Sequence, residues 1–294
     1  MKDWIVASGP ASLDISANLS AILGAELARV AVTEFPDGES KIRIDGDFHG
    51  KSVIIVQSTY PPADKHLMQL LFLSHKLSEE GAEINAVIPY LCYARQDKEF
   101  LPGEIVSLGV ISHLLRSVGV RRVVTVDIHS IQGIGFFSFP LYSVSAIPLL
   151  AEFVKSNFDL TNPIAVSPDL GSSTRVEAFA AVLKSEYVSL RKTRDKVTGE
   201  VATEDKTLNL KGRDAVVIDD MISTGDSVVK AAQLLKKHGA ARVIAACTHA
   251  LMVGGAADKM RAAGVDEIVA TNTVPNRFGK VDVSQLIASY FKTI

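Results

Sequence analysis

The sequence predicts an α/β fold of two similar domains, each a parallel β-sheet flanked by helices. Three observations predict it. The length of 294 residues suits two domains of about 100–150 residues each. An amphipathic helix, a glycine and then an apolar strand recur along the chain, at His75 to Pro89, Leu114 to Asp127, Leu234 to His249 and Lys259 to Thr271. The strands in those segments are unbroken apolar runs rather than alternating ones, which is the pattern of parallel strands buried on both faces.

Each element has its own reason. Gly81, Gly119, Gly239 and Gly264 fall just past the helices, where a left-handed residue ends a helix at little cost. Repeated alternation of helix and strand then requires sheets covered by helices. Ser52–Val56 leads through a loop to a helix from Asp64, and Ala215–Ile218 leads through a loop to a helix from Asp226. This shared order suggests an internal duplication. The expected domains are 1–143 and 144–294, divided ahead of a helix from Ser145 to Lys155. The last helix, Val283 to Lys292, is free to pack on either.

Composition narrows the function. Hydrophobic residues make up 47% and charged residues 22%, with a net charge of −2, so each domain can build a core. No block of the chain is strongly basic, which argues against a nucleic-acid partner. The stretch Met1-Lys2-Asp3-Trp4 lacks a signal-peptide core, and no apolar run reaches the ~18–20 residues that span a bilayer. A cytoplasmic protein without membrane contact is expected. Cys92 and Cys247 are far apart in sequence and sit in or beside apolar runs, as small buried hydrophobes do.

The strongest motif is Ala215 to Ser227, AVVIDDMISTGDS. A buried strand is expected to end in Asp219-Asp220, and a turn of Ser223, Thr224, Gly225, Asp226 and Ser227 then opens a helix. Carboxyl ends of parallel strands are where ligands bind in open α/β sheets. N–H groups at a helix start hold phosphate, with hydroxyls as further donors, and Gly225 lets the backbone come close. Two carboxylates would repel phosphate, so a pair of neighbouring sugar hydroxyls suits them better. The competing reading is an ordinary capped β–α turn. Gly46 to Ser52 is not a P-loop: it is one residue short and precedes a strand.

Asp219 to Ser227 closely resembles the phosphoribosyl-diphosphate motif of type I phosphoribosyltransferases and of the ribose-phosphate diphosphokinases that make their substrate. Further segments resemble the diphosphokinases specifically. Phe35-Pro36-Asp37-Gly38-Glu39 is similar to their nucleotide-binding signature, although alone it reads first as a turn. Pro89-Tyr90-Leu91-Cys92-Tyr93-Ala94-Arg95-Gln96-Asp97 is similar to their ATP-contacting segment, where a guanidinium can pair with phosphate. Asp127 to Phe137 resembles the region whose histidine, here His129, lies near metal-bound ATP. Ser167-Pro168-Asp169 resembles the segment whose aspartate can hold Mg²⁺, with a helix cap as the alternative. Ser189 to Arg194 resembles the catalytic loop, so Lys192 and Arg194 are expected on a polar, mobile loop running to Gly199. In isolation that run is a solvated hairpin end. One departure is Gly103-Glu104-Ile105-Val106-Ser107, where many relatives carry proline at the Ile105 position and a cation soon after.

The resemblance implies type I phosphoribosyltransferase-like domains. Residues 1–143 would contribute the ATP-binding residues Phe35, Asp37, Glu39, Arg95, Gln96 and Asp97. Residues 144–294 would hold ribose 5-phosphate, through Asp219, Asp220 and Ser223 to Ser227. It implies Mg²⁺ at His129 and Asp169, catalysis by Lys192 and Arg194, and a homo-oligomer built from dimers, up to a hexamer, with the Phe35 loop reaching a neighbour. Two rivals stay open: a phosphoribosyltransferase, which leaves Phe35, Arg95-Gln96 and Lys192/Arg194 idle, and a non-catalytic regulatory relative.

Overall fold

The computed structural model of the chain describes residues 3–169, 173–190, 192–194, 201–203 and 210–294. The chain forms two compact units. One holds Met1–Val144, Thr273–Pro275 and Asp282–Ile294; the other holds Ser145–Asn272 and Asn276–Val281.

The first unit runs β1 (Trp4–Ser8), α1 (Leu13–Leu23), β2 (Glu26–Glu34), β3 (Ser40–Asp45), β4 (Ser52–Val56), α2 (Ala63–Glu79), β5 (Glu83–Ile88), α3 (Ser107–Ser117), β6 (Val120–Val126) and β7 (Leu141–Val144). Among the described residues its sheet has seven strands in the order β3-β2-β1-β4-β5-β6-β7. Every neighbouring pair is parallel except β2 with β3, which form an antiparallel hairpin. Val53 to Val56 and Ile84 to Ile88, apart from the polar Asn85, are buried apolar residues, as expected for strands covered on both faces. The unit is completed by α8 (Ser284–Phe291). Its Ile287, Ala288 and Phe291 are buried, with Phe291 edge-on to Trp4 at 5.3 Å between ring centroids. Asn18 of α1 donates to Asp282, just before α8, at 2.9 Å.

The second unit runs α4 (Ile147–Asn157), β8 (Ile164–Ser167), α5 (Ser173–Leu183), β9 (Glu186–Ser189), β10 (Lys192–Arg194), β11 (Val201–Thr203), β12 (Asp214–Ile222), α6 (Asp226–Lys237), β13 (Arg242–Ala250), α7 (Ala256–Ala262), β14 (Glu267–Thr271) and β15 (Gly279–Val281). Among the described residues the main sheet is β15-β14-β13-β12-β8-β9, with β10 and β11 as a separate hairpin. All main-sheet pairs are parallel. Two apolar layers sandwich it. Val217, Val243 and Ala245 pack with Val228, Leu235 and Met260 of α6 and α7 on one face. Val216, Ile218 and Ile244 pack with Leu150, Val154 and Phe179 of α4 and α5 on the other.

The four helix-ending glycines take φ of 83°, 89°, 89° and 97°. At Gly81, Gly239 and Gly264 the next N–H reaches back to Leu77, Leu235 and Met260, closing the last turn through the pattern that a left-handed residue permits.

Candidate active-site surfaces

The carboxyl edge of each sheet gathers the residues singled out in the sequence. In the first unit, the chain leaves β5 at Pro89 and β6 at Asp127. The two loops are fastened to each other and to the loop after β4. Thr59 Oγ1 donates to the Tyr90 carbonyl and accepts from the Cys92 N–H, both at 2.8 Å. The Ser130 hydroxyl donates to Asp97 and accepts from the Gly133 N–H at 3.2 Å. Tyr93 and Asp127 hold left-handed backbone, with φ of 60° and 38°, a strain that tends to persist where surrounding structure enforces it at functional positions.

Between these loops lies an open cavity of ≈ 560 Å³ lined by Arg95, Gln96, Phe100 and His129. Its volume is in the range of small-molecule sites. Three of its lining residues came from the motifs. Phe100 did not, because a lone aromatic in a polar run carries no pattern. Asp97 is not among the lining residues; it is the strut that Ser130 holds.

Phe35, Asp37 and Glu39 sit elsewhere on the same edge, in the turn joining β2 to β3. The Phe35 N–H donates to the Glu39 carbonyl and the Gly38 N–H to the Phe35 carbonyl, both at 2.8 Å, and Asp37 accepts from the Glu39 N–H at 3.2 Å. The Phe35 ring is exposed. β2 lies three places from β5 in the sheet, which at about 4.8 Å per strand puts the hairpin roughly 14 Å from the β5 loop. The structure therefore does not bring Phe35 to the cavity of its own chain.

In the second unit, β12 runs through the expected strand end to Ile222. Its pairing with β8 stops at Val217, but its pairing with β13 continues to Ile222 opposite Ala250. Asp219 and Asp220 thus lie in a strand with one side uncovered. The two differ in burial, yet the Asp220 N–H donates to Asp219 Oδ1 at 2.9 Å and their carboxyls are within hydrogen-bond reach of each other. Asp220 is buried and 3.4 Å from the Arg175 guanidinium of α5. Asp219 is half-buried and pairs with Cys247 on β13. Burial first, then the charges of Asp220 and Asp169, hold its carboxyl well above the usual carboxylate range.

Gly225 follows with φ of 80°, and an added Cβ would meet Met260 Cγ at 3.2 Å. Backbone conformation and α7 packing both demand glycine there. Thr224 is exposed, its hydroxyl donating to Asp226 at 3.0 Å at the start of α6. Asp169 follows β8, its carbonyl accepting from the Ser167 hydroxyl at 2.6 Å. Among the described residues no group of three or more His, Cys, Asp or Glu side chains forms a metal cage. Lys192 and Arg194, expected in a loop, belong to β10, which pairs antiparallel with β11. Their side chains and the stretch 195–200 lie outside the described residues, as does the segment 170–172.

Comparison with known proteins decides the family. Residues 4–119 match the N-terminal domain of ribose phosphate pyrophosphokinase, and residues 201–294 match the phosphoribosyl synthetase-associated domain. Ribose-phosphate pyrophosphokinase of Saccharolobus solfataricus is 38% identical over 289 residues, covering 97% of this chain and 99% of that protein. The chain belongs to the ribose-phosphate pyrophosphokinase family. The Methanobrevibacter smithii ribose-phosphate pyrophosphokinase is 35% identical, covering 98% of this chain and all of its own. A crystal structure of phosphoribosylpyrophosphate synthetase from Mycobacterium smegmatis superposes with a TM-score of 0.87 at 28% identity, covering 99% and 98% of the two chains. The expected α/β fold of two similar domains is that of the pyrophosphokinase family.

Proposed function

We propose that the first unit holds ATP and the second holds ribose 5-phosphate, and that the chain works as a ribose-phosphate diphosphokinase. The reaction transfers the β,γ-diphosphoryl group of ATP to the 1-hydroxyl of ribose 5-phosphate. The hydroxyl oxygen bonds to the β-phosphorus, the bond from that phosphorus to the bridging oxygen breaks, and AMP leaves as 5-phosphoribosyl 1-diphosphate forms. The observation that carries this reading is the convergence of Arg95, Gln96 and His129 on one cavity, in a chain of this family.

Arg95 would pair with phosphate and Gln96 with a polar edge of the nucleotide. In the second unit, Asp219 would accept from a ribose hydroxyl. Asp220, anchored by Arg175, would fix the position of that carboxylate and offer its remaining oxygen. The turn from Ser223 to Ser227 would hold the 5-phosphate with hydroxyls and N–H groups at the start of α6. Lys192 and Arg194 would stabilise charge on the diphosphoryl group in flight.

The donor chemistry fits Mg²⁺. Asp169 lies close enough to Asp219 for its charge to raise that carboxyl, and His129 borders the nucleotide cavity. Mg²⁺ takes few protein ligands and keeps phosphate oxygens and waters, so Asp169 in the second unit and His129 in the first would each need to offer no more than a single ligand, without a protein cage. Mg²⁺ bound at either residue would neutralise polyphosphate charge. The Phe35 hairpin, with Asp37 and Glu39, would serve the ATP site of a second copy in a dimer-based homo-oligomer of up to six chains. Among the described residues no helix is long and apolar enough to cross a membrane, and we place the enzyme in the cytoplasm.

The test is AMP formation from ATP with Mg²⁺ and ribose 5-phosphate. The expected result is AMP only when all three are present. Lys192→Ala should lower kcat by roughly 100–1,000-fold while both KM values move much less. Consumption of phosphoribosyl diphosphate with a free base, without ATP-dependent AMP release, would assign the chain to the transferases instead.

A further inference from the structure

We propose that Thr59 is a positioning residue for nucleotide binding: its buried hydroxyl fixes the path of the loop after β5, and so the place of Arg95 and Gln96. The inference rests on the reading that the first-unit cavity takes ATP.

The regular pairing of β4 with β5 ends at Val56 opposite Val87. The chain beyond it stays in the interior. Ser58 and Thr59 are fully buried, and Tyr90, Leu91 and Cys92 are buried with them. Past the end of a ladder, buried N–H groups need side chains as partners.

Two hydroxyls meet that need. Ser58 Oγ accepts from the Tyr90 N–H at 3.1 Å and donates to the Thr273 carbonyl at 2.6 Å. Thr59 Oγ1 accepts from the Cys92 N–H and donates to the Tyr90 carbonyl, both at 2.8 Å. The Thr59 N–H adds a bond to the same carbonyl at 2.9 Å. Thr59 thus grips the loop on both sides of Leu91, through one hydroxyl that is donor and acceptor at once.

What is fixed at Cys92 is passed on at short range. Tyr93 turns the chain with left-handed backbone. The Gln96 N–H closes that turn on the Tyr93 carbonyl at 2.9 Å, and the Gln96 carbonyl accepts from the Leu108 N–H at 3.2 Å. Arg95 and Gln96 reach the cavity from this turn. Another tie on the loop, Tyr93 to Asp64, lies at the surface, where water competes for both groups. The Thr59 bonds are shielded from that competition, so the loop takes its direction from them. A displacement of about an ångström is enough to weaken a positioned group, which lets a hydroxyl sealed from the ligand govern affinity.

The test joins steady-state kinetics to a double-mutant cycle. Thr59→Val keeps the side-chain shape and removes the hydroxyl. It should raise the KM for ATP roughly tenfold, with kcat and the KM for ribose 5-phosphate nearly unchanged. Thr59→Ser, which keeps the hydroxyl, should restore ATP affinity. Phe291→Ala, which weakens the same unit away from this loop, should leave the KM for ATP alone. Thr59→Val combined with Arg95→Ala should lose far less than the product of the two single losses, because Thr59 acts through Arg95. Full additivity, an unmoved KM in Thr59→Val, or an equal rise in Phe291→Ala overturns the proposal. Amide exchange tests it without any variant: the Cys92 N–H should exchange as slowly as the amides of β5, and exchange as fast as in an exposed turn overturns it. Normal ATP binding by Arg95→Ala overturns the ATP reading of the cavity and this proposal with it.

Discussion

Asp219 shows what a ligand site costs its own fold. Its carboxyl is raised by burial, then by Asp220 and Asp169. The folded state therefore keeps a proton that the unfolded state has already released. Stability falls as pH rises from the unfolded value near 3.8 through the raised folded value, and above that window the full penalty is present. Asp219→Asn should accordingly raise the Tm of the ligand-free protein at pH 7–8, by a few degrees if the relief is about 1 kcal/mol. The gain should vanish near pH 3, and ribose 5-phosphate binding should weaken. Calorimetry at the two pH values, with and without the sugar, checks both halves; an unchanged Tm at pH 8 would show that the repulsion is already screened. Arg95, Gln96 and His129 were legible because their neighbours spell a motif. The different surroundings of Asp219 and Asp220, one half-buried and one buried against Arg175, were not. Aspartates are depleted from strands, so the diacid read as a strand end. The open side left by β8 is what lets β12 carry them onward.

At the level of elements, α2 is the brace of the nucleotide edge. Consecutive residues in its first turn grip two loops. Asp64 accepts from the Tyr93 hydroxyl, two residues before Arg95, and pushes that phenol up to about 12. Lys65 pairs with Glu34, the residue before Phe35. Gln69, one turn on, donates to Ser40 at 3.0 Å at the start of β3. The hairpin and the cavity loop thus share one rigid support across the intervening strands. Lys65→Met should raise the KM for ATP by roughly two- to fivefold, in keeping with the modest worth of a partly exposed ion pair, and leave the KM for ribose 5-phosphate alone. A shift in the sugar KM of equal size would mean that the helix supports the fold generally. None of these links was legible in sequence, because each joins residues 29–31 positions apart with no periodic pattern. The run at Lys192 was readable in isolation as a hairpin end, but its strands were not: three-residue strands are too short for alternation to register.

The whole chain repeats one plan. In the first unit the strands lie β2-β1-β4-β5-β6-β7, with β3 beyond; in the second they lie β9-β8-β12-β13-β14-β15. The opening strand of each has its successor on one side and the later strands on the other. The repetition hinted at by Ser52–Val56 and Ala215–Ile218 is therefore a shared topology. The matching turns have diverged in use. After β4, the Ser58 hydroxyl donates to the Thr273 carbonyl at 2.6 Å and Thr59 is committed to the β5 loop. After β12, Thr224 is exposed at a helix start. The destination of α8 was left open by the sequence, since a short amphipathic helix fits either core. Its Phe291 against Trp4 decides the matter. The chain has one tryptophan, so indole emission reports the first unit. Phe291→Ala should destabilise that unit by about 3–5 kcal/mol, seen as a lower urea midpoint for the tryptophan signal; an unmoved midpoint would mean that α8 adds nothing there. This placement also orders the birth of the protein. All of the second unit leaves the ribosome before α8 does, although the first unit began to emerge long before. At ~5–20 residues per second, the apolar surface around Trp4 waits on the order of tens of seconds for its cover. The half that is translated first is the half that is finished last.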